Sequence, residues 1–77
     1  MPHFYFHIFN DQDTIDREGL ELPDFAAARK TAVSEARILA GEFIRRGHLN
    51  LGHRIDIEDD AGKITPVAFR DAFTIEG

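Results

Sequence analysis

The fold is decided by residues Leu22–Gly47, which read LPDFAAARKTAVSEARILAGEFIRRG. Asp24 stands just before the first apolar residue of a helical repeat, where its carboxylate can accept hydrogen bonds from the free N–H groups of a first helical turn. Gly47 follows two arginines, and a glycine placed after cations is typical of a helix C-terminus. The sequence therefore predicts one long helix over about residues 24–46.

Apolar residues of this helix recur along one side at helical spacing. They are Phe25, Ala28, Ala32, Ala36, Leu39 and Phe43. Alanine occupies the middle of the stripe and phenylalanine both ends, so the helix backbone can lie close to a flat surface. We expect the helix to pack on a β-sheet.

Four other segments have the composition or alternation of β-strands, namely residues 3–9, 19–22, 54–59 and 63–70. The first is rich in aromatic and β-branched side chains, and the third alternates strictly between polar and apolar residues. Leu20 and Leu22 should point inward. Pro66 lacks an N–H group, so the last strand should lie at an edge or be bulged. The predicted fold is α+β, in the order β-β-α-β-β, with one antiparallel sheet and the helix across one face. The pattern leaves open whether residues 15–17 pair with the first strand.

The length and composition point to one small domain over residues 1–77. A chain of this length buries a limited core, and the absence of cysteine excludes disulfides and thiolate metal sites. Dimerisation is the remaining simple way to add stability. No segment has the pattern of a signal peptide or of a membrane span, so we expect a cytoplasmic protein without membrane contact.

The residues that most often carry chemistry do not form a pattern here. His3 and His7 are four strand residues apart, about 13 Å, which is too far for both to ligate one metal ion. Ser34 is the only serine and lies in the middle of the helix, and no glycine-rich phosphate loop is present. We therefore predict a non-enzymatic protein with no catalytic residue, metal site or cofactor.

The sheet face opposite the helix is the leading candidate for a functional surface. Alternation along the predicted strands places these residues on it: His3, Tyr5, His7, Phe9, Ile64, Pro66 and Ala68. This mixture is neither strongly charged nor fully apolar, which suits a surface that is covered part of the time. The leading hypothesis is an interaction module that forms a homodimer through this face or through an edge strand, or that binds an unidentified protein.

Two alternatives remain. The polar side of the helix carries Lys30, Arg37, Arg45 and Arg46, which could serve a regulatory or antitoxin-like protein that associates with nucleic acid. Residues 24–46 have a net charge of +2 and the rest of the chain −7, so nucleic acid is a disfavoured partner. The second alternative is a small-molecule binder that uses His3, Tyr5 and His7.

The chain resembles, nearly from end to end, a family of small bacterial proteins known as a domain of unknown function. The shared features are an opening like MPHFYFHIF, an EGLELPD turn into an alanine-rich helix, the hairpin segment RIDIEDDAGK and an ending near VAFRDAF. The resemblance implies no particular activity. A weaker similarity is to antitoxins of the HicB type, in which a strand ending in Pro-Asp also leads into an alanine-rich helix. This chain has neither their following glycine-rich segment nor an appended DNA-binding element.

Overall fold

The computed structural model describes residues 1–77 and confirms the predicted α+β fold. In chain order the elements are β1 (His3–Phe9), β2 (Asp13–Thr14), β3 (Leu20–Glu21), α1 (Phe25–Arg45), β4 (Arg54–Glu58), β5 (Ile64–Ala68) and a 3₁₀ turn at Phe69–Asp71. All strand pairs are antiparallel, in the order β2-β1-β4-β5, and β3 pairs with the start of β1. Strand β2 is additional to the four predicted strands. It has two residues, which are too few for a sequence pattern to reveal. None of the helices combines the length and apolar character that crossing a membrane requires.

Both ends of α1 are closed by local hydrogen bonds. The Asp24 carboxylate accepts a hydrogen bond of 2.8 Å from the Ala27 N–H. At the other end, Gly47 has a φ of +80° and donates to the Ile44 carbonyl at 2.9 Å, while the His48 N–H donates to Phe43 at 3.0 Å. This pair of bonds is a Schellman motif, which satisfies carbonyls that the helix leaves free.

The core lies between α1 and one face of the sheet. Ala28, Ala32 and Ala36 are fully buried, and small side chains let the helix approach the buried Ile55 and Val67. Close approach of this kind leaves little room for larger residues in the middle of the helix.

The margins of this core differ from the sequence prediction. Phe25, expected at the end of the buried stripe, is 42% exposed and contacts Phe4 edge to face, with ring centroids 6.4 Å apart. Leu20 pairs with Phe4 and so shares its inward face, yet it is 50% exposed. At these two positions, inward direction therefore does not bring burial.

Strand β5 is an edge strand, as Pro66 predicted. The Phe69 N–H donates to the His53 carbonyl at 2.8 Å, and the Asp59 N–H donates to Lys63 at 3.0 Å. Hydrogen-bonded and non-hydrogen-bonded pairs alternate along an antiparallel ladder, so Pro66 and its partner Asp56 form a non-hydrogen-bonded pair. The Pro66 nitrogen therefore faces away from β4, and the missing N–H costs the sheet no bond.

Candidate functional site

The sheet face turned away from α1 is built from three rows of cross-strand neighbours. Directly opposite residues of antiparallel strands share a face, so the register of β1, β4 and β5 defines the rows. They are Tyr5–Glu58–Ile64, His7–Asp56–Pro66 and Phe9–Arg54–Ala68. These nine residues are called the outer face below. Strand β4 contributes a charged strip, which runs between the rings of β1 and the apolar side chains of β5.

The structure brings most of the predicted interface residues together on this face. Tyr5 and Phe9 are half-buried in β1, Ile64 is 53% exposed in β5, and Pro66 and Ala68 follow it along the edge. The remaining two predicted residues, His3 and His7, are held by contacts with other segments of the chain.

His3 lies one position beyond the first row, and its ring centroid is 5.0 Å from that of Tyr5. Its Nε2 atom is 2.6 Å from the carbonyl oxygen of Glu18, and its backbone N–H donates to Asp60 at 3.0 Å. His3 therefore fastens the start of β1 to two loops while one side of its ring borders the outer face.

His7 is not available on the surface, contrary to the sequence prediction. Only 8% of it is exposed, because the segment Ile15–Gly19 leaves the edge of β1 between β2 and β3 and lies over it. The Asp16 N–H donates to His7 Nδ1 at 3.1 Å, and His7 Nε2 is 2.8 Å from Glu58 Oε1. Since Nδ1 accepts, the proton lies on Nε2 and the ring donates to Glu58 in its neutral form. Both nitrogens are engaged, so His7 has no free atom for acid–base chemistry in this arrangement.

Asp16 holds this segment in place. Its carboxylate accepts hydrogen bonds from the N–H groups of Phe6 at 3.1 Å, Glu18 at 3.0 Å and Gly19 at 3.0 Å. The Phe6 N–H belongs to β1, at the point where neither β2 nor β3 pairs with it. Residues 15–17 thus meet the first strand through a side chain rather than through a backbone ladder.

The pKa of Asp16 reflects this arrangement. Burial alone would raise the pKa of the carboxyl, but the hydrogen bonds from Gly19, Phe6 and Glu18 lower it below the ordinary value of 3.8. Sequence reasoning missed this residue. The available signal was Asp16 followed two and three positions later by Glu18 and Gly19, which is typical of an Asx turn.

Gly19, a glycine that the sequence predicts at a bulge or tight bend, is the second residue that shapes this segment. Its φ is +66°, and a Cβ atom there would lie 2.5 Å from the Phe4 carbonyl oxygen and 2.6 Å from His3 Nε2. A side chain is therefore excluded by both the backbone conformation and the contact with β1.

A shallow depression of about 410 Å³ lies where the segment meets the outer face. It is lined by Tyr5, His7, Ile15, Asp16, Arg17 and Glu58. The Tyr5 and His7 rings are nearly parallel, with an interplanar angle of 4° and centroids 6.4 Å apart. The predicted small-molecule residues Tyr5 and His7 thus border one concave surface, and His3 does not line it.

The charged strip of β4 is polar along its length. Arg54 Nε is 3.0 Å from Asp56 Oδ1, and the guanidinium lies 4.4 Å from the centre of the Phe9 ring. Asp56 is buried, whereas the side chains of Arg54 and Glu58 are 44% and 34% exposed. One end of β4 therefore presents a partly free cation and the other end a partly free carboxylate.

The remaining histidines form a packed aromatic cluster. The His53 ring is buried between Phe43 and Phe69, with centroids 5.1 and 5.5 Å away, and His48 lies 6.3 Å from it. His53 Nε2 is 3.3 Å from the Asp11 carboxylate, and its Nδ1 has no hydrogen-bond partner. No group of three or more His, Asp or Glu side chains in the structure is arranged to hold a metal ion.

The four predicted basic residues of α1 do not form one surface. Helical geometry places Lys30 and Arg37 in line and Arg46 on a different side. Arg37 Nε donates to the Ala72 carbonyl, and the Arg46 guanidinium lies 5.7 Å from the centre of the Phe43 ring. Two of the four cations are thus engaged with their own chain.

Comparison with known proteins places the chain in a family. The profile described as a domain of unknown function, DUF6894, matches residues 3–69. The chain belongs to the DUF6894 family. The match spans every strand of the DUF6894 fold and all of α1. No curated protein and no solved structure matches the chain, and similarity to HicB antitoxins is not shown.

Proposed function

We propose that this DUF6894 domain is a non-enzymatic interaction module that self-associates through its outer face. The supporting observation is the distribution of burial. Helix α1 covers one side of the sheet, while Tyr5, Phe9, Ile64 and Pro66 remain wholly or partly exposed on the other. Protein interfaces are enriched in aromatic residues and arginine, and this face carries Tyr5, Phe9 and Arg54.

The sheet edges support the face as the contact. At the β5 edge, Pro66 removes an outward N–H that an added strand would need. At the β1 edge, the Asp16 carboxylate occupies the Phe6 N–H that β2 and β3 leave free. Both edges are therefore poor templates for strand addition, which favours the outer face as the contact.

The size of the face predicts a weak complex. Three strands about 4.8 Å apart and five residues of about 3.3 Å each give a planar contact of about 240 Å² per copy, before side-chain relief is counted. Stable interfaces bury about 800 Å² per partner. We therefore expect a reversible homodimer with a Kd in the micromolar range or above.

The test is the solution mass over a concentration series, measured by light scattering or sedimentation equilibrium. Wild type should approach twice the monomer mass at high concentration, and Tyr5→Glu should stay monomeric because it places a charge in the contact. Ser34→Glu is the matched control, since it adds the same charge on the exposed side of α1, and it should behave as wild type. Circular dichroism verifies the fold of each variant. A wild type that stays monomeric throughout, or a Tyr5→Glu variant that dimerises normally, would refute the proposal.

A further inference from the structure

We infer that the two copies stack with their outer faces together and their strands antiparallel, so that Glu58 of each copy meets Arg54 of the other. This inference rests on the proposed self-association and specifies its geometry. It follows from the positions of the charges on β4 and from the symmetry that a homodimer requires.

A two-fold axis between two stacked sheets lies in the plane of the interface. If the axis runs across the strands, each strand faces its own copy and the row order is reversed. The first row, with Tyr5 and Glu58, then lies over the third row of the partner, with Phe9 and Arg54. If the axis runs along the strands, each row instead faces itself and β1 faces β5.

Charge separates these two arrangements. With the axis across the strands, each Glu58 carboxylate faces an Arg54 guanidinium, and symmetry forms the pair twice. With the axis along the strands, Glu58 faces Glu58 and Arg54 faces Arg54. Juxtaposed like charges disfavour a complex, and complementary ones fix its register. The antiparallel stack is therefore the favoured arrangement.

Both charged groups have atoms left for an intermolecular bond. Glu58 uses Oε1 for His7, and Arg54 uses Nε for Asp56. Glu58 Oε2 and the two Nη groups of Arg54 make no hydrogen bond within the chain. A guanidinium can therefore keep its Asp56 contact and still bind a second carboxylate.

The charges at the two ends of the sheet also favour the antiparallel stack. The end near His3 gathers Glu21, Glu58, Asp59 and Asp60, together with the cation Lys63. The opposite end carries Arg45, Arg46, Arg54 and Arg70 together with Asp11, Asp13, Glu42 and Asp71, so its charges balance. An antiparallel stack sets the acidic end over the end whose charges balance, whereas the other arrangement sets the acidic end over itself.

The experiment is a charge exchange measured by sedimentation equilibrium. Arg54→Glu and Glu58→Arg should each raise the dimer Kd about 10-fold or more, because each turns two attractive pairs into two repulsive ones. The double variant Arg54→Glu/Glu58→Arg should return the Kd to within about 3-fold of wild type, since the exchanged charges again face opposite partners. Thermal unfolding of each variant verifies folding.

A second measurement needs only the wild-type protein. Salt screens exposed charges, so the Kd of a dimer held by attractive pairs should rise between about 50 and 500 mM NaCl. A Kd that falls with salt would show that repulsion between the two copies, each of net charge −5, outweighs the proposed pairs, and it would overturn the arrangement even if a variant failed to fold.

The outcomes separate the two proposals. Dimerisation with a Kd unchanged by the single exchanges, or a folded double variant that does not recover, would overturn the antiparallel stack while self-association stands. A wild type that is monomeric at every concentration would overturn both.

Discussion

Replacing Asp16 by alanine should destabilise the fold more than its surface position suggests. The change removes the acceptor of the Phe6, Glu18 and Gly19 N–H groups. The Glu18 N–H can turn to water, but the other two are partly buried, and an unsatisfied buried donor costs about 1–3 kcal/mol. We expect a loss of about 3 kcal/mol. A domain of 77 residues has a total stability of roughly 4–11 kcal/mol, so this is a large fraction of it.

The measurement is urea unfolding at pH 7, followed by far-UV circular dichroism. Asp16→Asn keeps one acceptor oxygen without the charge, so we expect an intermediate loss of about 1–2 kcal/mol. Glu18→Gln is the matched control, because this side chain lies in the same segment, is exposed and makes no hydrogen bond of its own. It should change the free energy of unfolding by less than about 0.5 kcal/mol.

The pH dependence gives a second test of the same contact. Because the pKa of Asp16 is lower in the folded state than the ordinary value of 3.8, its stabilising effect is present above pH 3.8 and is lost as the pH falls through the lowered pKa. The difference in stability between wild type and Asp16→Asn should be constant from pH 7 to about pH 5 and should shrink below pH 3.8. A difference under about 0.5 kcal/mol at pH 7, or one that does not shrink in acid, would show that the carboxylate does not hold the segment.

Three further substitutions test other parts of the fold. Gly19→Ala should cost about 2–4 kcal/mol in urea unfolding, since it combines a positive φ with a clash against β1, whereas Gly41→Ala on the open helix surface should stabilise by about 0.5–1 kcal/mol; equal effects would contradict the contact. Ala32→Leu should lower the free energy of unfolding by about 2–3 kcal/mol or prevent folding because the site is fully buried, while the exposed Ala26→Leu should be neutral. Pro66→Thr restores an outward N–H at the β5 edge, so it should leave stability within about 0.5 kcal/mol and increase aggregation in light scattering; unchanged aggregation would argue against the protective role.

The sequence predicted the parts of the fold that are encoded locally. The Asp24 cap, the alanine stripe and Gly47 define α1 within a few residues, and strict alternation identifies β4. Burial at the margins of the core was harder to predict, because Phe25 and Leu20 have the expected direction and are nevertheless 42% and 50% exposed. Whether an inward residue is covered depends on where α1 crosses the sheet, which no local pattern contains.

The sequence predicted which residues lie on the outer face but not how deeply each of them is buried. Period-two alternation placed His7 beside Tyr5 and Phe9, and their shared face is correct. The burial of His7 depends on Asp16, nine residues later in the chain, and on Glu58, fifty-one residues later. Neither contact follows from spacing, since both depend on the chain leaving β1 between β2 and β3.

The segment Ile15–Gly19 links the two proposals to the stability of the fold. The Asp16 carboxylate of this segment accepts a hydrogen bond from the Phe6 N–H at the edge of β1, and the segment also covers His7. The same residues therefore hinder strand addition at this edge and reduce the exposed part of the outer face. The β1 side of the face then presents Tyr5 and Phe9, one at each end, and the β4 strip presents Glu58 and Arg54 in the same order. Because Glu58 lies at one end of this surface and Arg54 at the other, a second copy brings opposite charges together only when its strands run antiparallel to those of the first. The proposed antiparallel stack therefore follows from the positions of these four residues within a single chain.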